Sequence, residues 1–210
     1  AHKFDFGGAV PGSTHSGATE LFQEGLVLPI MKFYDRGKLV SQVEDVIRAN
    51  VRNPDLVLGD LGAQTGATHL GVARMKVFAK RFGPEVMADA FEDTLAASEK
   101  RVKMHIARWP GKAAEAEAFL DPTPNHPHPV RIHLQVARNG GHLTFDFSKS
   151  DPQVRSPVNI SIPAVLRLSC ISLLGMTDPS IPENEGIARA VTLITKEGTV
   201  VSSTSPAPVG

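Results

Sequence analysis

The spacing of apolar and polar positions is helical in the first half of the chain and mixed in the second. Val43, Val46, Ile47 and Val51 recur on one face, and Ser41 with Glu44 reads as a capping box, so a helix is predicted from Ser41 to the Asn53-Pro54 stop. Asp55 to Phe82 reads as one long helix closed by Gly83. Pro84 opens another that runs to about Arg108, ahead of Trp109-Pro110-Gly111, and the two form an antiparallel helical hairpin. In the second, Met87, Phe91, Leu95, Val102 and Ile106 make an apolar stripe opposite Glu92, Asp93, Glu99, Lys100 and Lys103. The first carries Gly59, Gly62, Gly66 and Gly71, each costing about 1 kcal/mol of helix propensity against Ala. Gly59, Gly62 and Gly66 share a face, which favours close packing by another element.

On either side of the hairpin the period shortens. Leu26 to Tyr34 is an apolar run suited to a strand or extended segment, with Pro29 at an edge or bend and Asp35-Arg36-Gly37 as its turn. Ala113 to Asp121 reads as a helical turn or an extended lead-in, and the PTPNHPHP stretch after it is irregular. Val130 to Ala137 alternates as a strand, Asn139-Gly140-Gly141 turns, and His142 to Phe147 returns. A polar loop, Ser150 to Asn159, precedes an apolar helix over about Ile162 to Leu174. A second polar loop, Asp178 to Gly186, precedes Ile187 to Ile194 and Thr199 to Ser203, which read as a closing hairpin. The expected class is α+β: a long helical hairpin, a mixed strand-helix-strand portion and an N-terminal Gly-rich loop. The proline-rich segment marks a boundary between 1–121, the Gly-rich loop with the helical hairpin, and 130–210, the strand hairpins with the apolar helix.

Composition narrows the function classes. With 210 residues, 41% hydrophobic and 21% charged, the chain can bury a substantial core. Lys plus Arg equals Asp plus Glu at 22, with no basic stripe, which argues against nucleic acid as a partner. The apolar run from Ile160 to Met176 is broken by Ser161, Pro163, Arg167 and Ser169, so no membrane span is expected, and the N-terminus has no signal-peptide pattern. A single cysteine, Cys170, rules out an internal disulfide and fits a reducing, cytoplasmic setting; within its apolar stretch it reads as core filler rather than nucleophile.

Candidate chemistry gathers in residues 1–25, AHKFDFGGAVPGSTHSGATELFQEG. His2 and Asp5, three apart, can share one cation on a turn, and the glycines permit φ > 0 and leave room for a ligand. Elsewhere, His126 and His128 read as surface loop, and His133 and His142 as a cross-strand pair on a polar sheet face.

The wording of this stretch, H-x-x-D-x-G-G followed by P-G-S and T-E-L-F-Q-E-G-L, resembles the hydantoinase B/oxoprolinase family. So do Leu58-Gly59-Asp60-Leu61, Asp146-Phe147-Ser148, Ser150-Asp151-Pro152-Gln153, Pro157-Val158-Asn159 and Ile181-Pro182-Glu183-Asn184-Glu185-Gly186, in family order. The resemblance implies an internal piece of a longer protein, a component of an ATP-dependent cyclic amide hydrolase of the hydantoin or 5-oxoproline type. A hydantoinase A-like subunit or domain would use ATP to phosphorylate the ring oxygen of a small cyclic amide, and this component would open the ring with a water activated by a divalent metal, Zn or Mn. A hetero-oligomer follows, in which the isolated chain is inactive. His2 and Asp5 carry over as metal ligands. The remaining ligands would come from upstream or from His15, Glu20 or Glu24 folding back, and Glu24 is the candidate general base. An acetone carboxylase-like large subunit is the alternative enzyme, and a non-catalytic scaffold or interaction fragment the alternative outside catalysis.

Overall fold

A computed structural model describes residues 5–13 and 15–210. The N-terminal loop makes a single 3-10 turn at Leu21–Gln23. Beyond it the apolar run predicted as a strand stays without ladder pairing until β1 (Tyr34–Asp35) meets β2 (Lys38–Leu39) across Arg36 and Gly37, both at positive φ. Leu26, Leu28 and Phe33 instead pack irregularly against α1 (Ser41–Asn50), whose Val43 and Ile47 are buried. The predicted capping box is not formed: Val40 occupies the N-cap, and Glu44 takes Arg48 one turn later.

The helical hairpin is present as α2 (Pro54–Phe82) and α3 (Pro84–Ala107), each with proline in its first turn and with Gly83 between them at φ 88°. Asn53 caps α2 by accepting the Leu56 N–H. At 29 residues α2 is about 43 Å long. Its one buried residue, Val57, lies at its base and joins the α1 core. The apolar stripe of α3 is likewise buried only toward its C-terminus, at Val102 and Ile106, while Phe91 stays 53% exposed.

The segment left open between helix and strand is β3 (Ala113–Leu120). It pairs along its whole length with β4 (Val130–Asn139) across the proline-rich segment. β4 turns into β5 (His142–Asp146) as predicted. The chain then forms α4 (Ile162–Met176), the short α5 (Glu185–Ala188) and β6 (Val191–Ile194), which lies parallel to β5. The sheet order is β3-β4-β5-β6. The expected closing hairpin is therefore corrected: Ile187 is buried in a helical turn, β6 pairs with β5, and residues 199–202 make only isolated bridges to one another and to Pro152.

Leu143 and Phe145 of β5, Val102 and Ile106 of α3, and Cys170, Leu173 and Leu174 of α4 form the main core. Burial raises the Cys170 thiol pKa, in keeping with an inert filler. α3 is pressed onto this core at two glycines. A Cβ on Gly186 would lie 2.1 Å from the Leu95 carbonyl oxygen, and one on Gly141 would lie 2.7 Å from that of Lys103. Polar links follow the same seam. Asn184 accepts the Gly186 N–H and donates to Ser98 Oγ, Arg189 makes a two-pronged pair with Glu92, and Arg101 reaches Asp178 at 2.6 Å.

Gly186→Ala should destabilise the fold by about 1–3 kcal/mol through backbone overlap with α3. Gly71→Ala, where a Cβ meets nothing within 4 Å, should be neutral or stabilising by up to about 1 kcal/mol. Denaturant melts of both variants check this pair. The Asp178 carboxyl is lowered to about 2 by Ser180 first, through its hydroxyl and N–H, and then by Arg101. Its folded pKa lies below the ordinary value of 3.8, so its stabilising effect is complete above that value and is lost as pH falls from there toward 2. Acid titration of Asp178→Asn should accordingly show a shallower loss of stability through this window than the unmodified chain.

Candidate functional site

The N-terminal loop is built around one carboxylate and one guanidinium. Asp5 Oδ2 accepts the Gly12 N–H at 3.0 Å, and Oδ1 accepts the Gly7 N–H at 3.2 Å and Arg52 Nη1 at 3.3 Å. The Gly12 N–H, then Gly7 and Arg52, hold the Asp5 carboxyl below its usual range against the opposing effect of desolvation. Arg52, from the link between α1 and α2, also donates to the carbonyls of Gly7, Val10 and Gly8. Ser13 closes the turn, accepting the Phe6 N–H and donating to the Gly7 carbonyl.

The glycines serve a purpose other than the expected room for a ligand. Gly7 and Gly8 adopt φ 89° and 85°, and a Cβ on either would strike backbone, Asn50 O at 2.8 Å or Gln23 O at 2.6 Å. They let the loop press against α1 and against residues 23–25, where Ala9 N–H donates to Gln23 O and Leu26 N–H to Phe6 O.

The predicted site residues separate. His2 lies outside the described residues. Glu24 faces the other end of the chain, its oxygens accepting the Val209 N–H at 2.8 Å and the Gly210 N–H at 2.7 Å. Leu21 N–H donates to Pro206 O beside it, and Asn125 of the proline-rich segment donates to Gly17 O. The His15 ring folds over Gly17. Among the described residues no group of three or more His, Cys, Asp or Glu is placed to hold a metal ion.

Next to the Asn125 contact is a cleft of about 440 Å³ lined by Asn125, His126, Asp151, Gln153, Val154 and Arg155, among others. Asp151 is committed to Arg131, accepting its backbone N–H at 2.8 Å, and Gln153 accepts from Thr204. Asn159, 2% exposed, bonds Val154 through both ends of its amide and also donates to Ser156 O and Pro208 O. The S-D-P-Q and P-V-N motifs thus fasten the 204–210 segment against the sheet. His126 and His128 stack edge to face at 6.1 Å between ring centres. His133 and His142 do not pair: His133 is buried against Glu115 of β3, and His142 meets Thr192 of β6. Sequence reasoning missed Arg52. The available signal was an arginine between two helices, on neither amphipathic face.

Replacing Arg52 with Ala removes every donor it aims at the loop. The loop amides of residues 6–13 should exchange with deuterium at least about tenfold faster, with about 1–2 kcal/mol lost in global stability. Unchanged exchange in those amides would contradict the role given to Arg52.

Set against known proteins, the chain is 31% identical over 220 residues to a putative D-/L-hydantoinase subunit of a Pseudomonas species, a match that takes in 99% of this chain and 37% of that one. Its fold superposes on the ATP-dependent caprolactamase of Pseudomonas jessenii with a TM-score of 0.88 at 24% identity, covering 98% of this chain and 35% of the other. On nucleotide-free acetone carboxylase the TM-score is 0.84 at 17% identity, over 100% and 29%. The chain therefore spans a little over a third of the length of the curated relative, 37%. The hydantoinase B/oxoprolinase signature matches residues 1–210, and the chain belongs to that family.

Proposed function

We propose that the chain is part of a component of an ATP-dependent hydrolase of cyclic amides, of the hydantoin or 5-oxoproline type. In this reading a hydantoinase A-like subunit or domain activates the ring with ATP and this component opens it. An unactivated amide is a poor electrophile, so ring opening near neutral pH needs both activation of the carbonyl and a site that positions water and substrate.

The observation that carries the reading is the Asp5 loop. Asp5 is an acceptor oriented by two backbone N–H groups and a guanidinium, the outer-layer support that fixes a carboxylate toward a metal. It occurs in the H-x-x-D motif of a chain of the hydantoinase B/oxoprolinase family. Held below its usual range, it stays anionic at working pH. With His2 it would hold a divalent cation, Zn or Mn, which when bound supplies Lewis acidity toward a carbonyl. Arg52 and the Gly7 and Gly12 amides keep the carboxylate from turning away, while Ser13 fixes the turn. Glu24 faces residues 209–210, accepting the Val209 and Gly210 N–H groups, so it is assigned a positioning role, holding the 204–210 segment beside the loop.

His2→Ala and Asp5→Asn should each lower divalent metal content at least about tenfold by elemental analysis. Both should abolish ATP-coupled opening of hydantoin and 5-oxoproline in the presence of the partner subunit, whereas Glu24→Gln should keep the metal. Unchanged metal stoichiometry in the first two variants would reject the ligand assignment.

A further inference from the structure

The cleft of about 440 Å³ beside the proline-rich turn keeps more bonding capacity than the fold uses. Thr123 and His126 exchange backbone hydrogen bonds across that turn, Ser156 donates to the Thr123 hydroxyl at 2.6 Å, and Asn125 at its tip donates to Gly17 O at 2.8 Å. The turn is therefore fastened both to the body and to the N-terminal segment. Asn159 fixes the other lining segment by bonding Val154 through both ends of its amide. Val130 and Val154 supply apolar lining. A cleft of this volume that joins apolar lining to a few polar groups suits a small molecule.

Three polar groups of the lining are open. Arg155 has no hydrogen-bond or ion-pair partner among the described residues. Asp151 uses Oδ2 to accept the Arg131 N–H at 2.8 Å, while Oδ1 lies 3.7 Å from Arg131 Nε, too far for a hydrogen bond. Gln153 accepts from Thr204 through Oε1, and its amide N–H groups have no partner among the described residues.

A ligand has to answer the guanidinium and the carboxylate together. A phosphate would pair with Arg155 but bring further negative charge against Asp151. An uncharged lactam could donate its N–H to Asp151 but would leave Arg155 without a partner. A cyclic amide with a carboxylate on the carbon next to its ring nitrogen satisfies both, because two carboxylate oxygens match the two-pronged guanidinium and the adjacent N–H suits Asp151 Oδ1.

We propose that this cleft binds such a ring, of the 5-oxoproline kind, with Arg155 on its carboxylate and Asp151 on its N–H. The assignment rests on the reading of the chain as part of a cyclic amide hydrolase and narrows its substrate to rings that carry a carboxylate.

Titration of the chain with 5-oxoproline should shift the backbone amide resonances of residues 125, 126, 151 and 153–155 saturably. 2-Pyrrolidinone, the same ring without its carboxylate, should bind at least about tenfold more weakly. Arg155→Gln, at an exposed position, should lower the affinity for 5-oxoproline at least about tenfold while leaving that for 2-pyrrolidinone and the circular dichroism unchanged. The absence of saturable shifts, shifts centred elsewhere, equal binding of the two rings, indifference to Arg155→Gln, or displacement of 5-oxoproline by an equal concentration of inorganic phosphate would each overturn the proposal. The titration uses neither metal nor ATP, so its failure would leave the Asp5 ligand assignment standing, and loss of that assignment would leave this binding intact.

Discussion

The close approach of α3 to Gly186 sets the geometry of the rest of the molecule. A backbone carbonyl sits where any side chain at residue 186 would begin, so α3 has one seating on α5 and the sheet. From that seating Val102 and Ile106 enter the main core, and Ser98, Glu92 and Arg101 find Asn184, Arg189 and Asp178. The same seating aims the free part of the arm away from the body. α2 has to return along α3 from Gly83, so its base reaches α1 and delivers Arg52 to the N-terminal loop. A core contact thereby fixes both the direction of the exposed helix and the placing of the candidate site.

At the site, hydrogen bonds join loop and body alongside the packing of Phe6 and Leu26 on the α1 core. Asp5 and Arg52 organise the loop from within, and Glu24, Gln153 and Asn159 tie residues 204–210 beside it. Most of the motifs that carry the family resemblance fall on these brackets. Asn159 saturates its amide with backbone, Asn184 caps α5, and Asp151 holds the start of β4. Their chemistry is that of fixing chain segments.

The long helices were legible because their signals are local: apolar periodicity bounded by Asn53-Pro54, Gly83-Pro84 and Trp109-Pro110. The β4–β5 hairpin was legible from Asn139-Gly140-Gly141 for the same reason. β3 was ambiguous because its Ala and Glu residues favour helix, and pairing with β4 overrides that preference. The last hairpin was misread because the partner of β6 is β5, a parallel neighbour about fifty residues back that no turn signal announces. At the site, the spacing of His2 and Asp5 could be read directly. The hold of Arg52 on Asp5 joins residues 47 apart and needed the folded chain.

The central claim is that the Asp5 loop receives a divalent cation. The most direct measurement is paramagnetic broadening of backbone amide resonances on titration with Mn²⁺. The amides of Gly7 and Gly12, both hydrogen-bonded to Asp5, should broaden first, with Gly186 and Gly141 in the core unaffected. Broadening centred on His126 and His128, or spread evenly over the exposed carboxylates, would contradict the account.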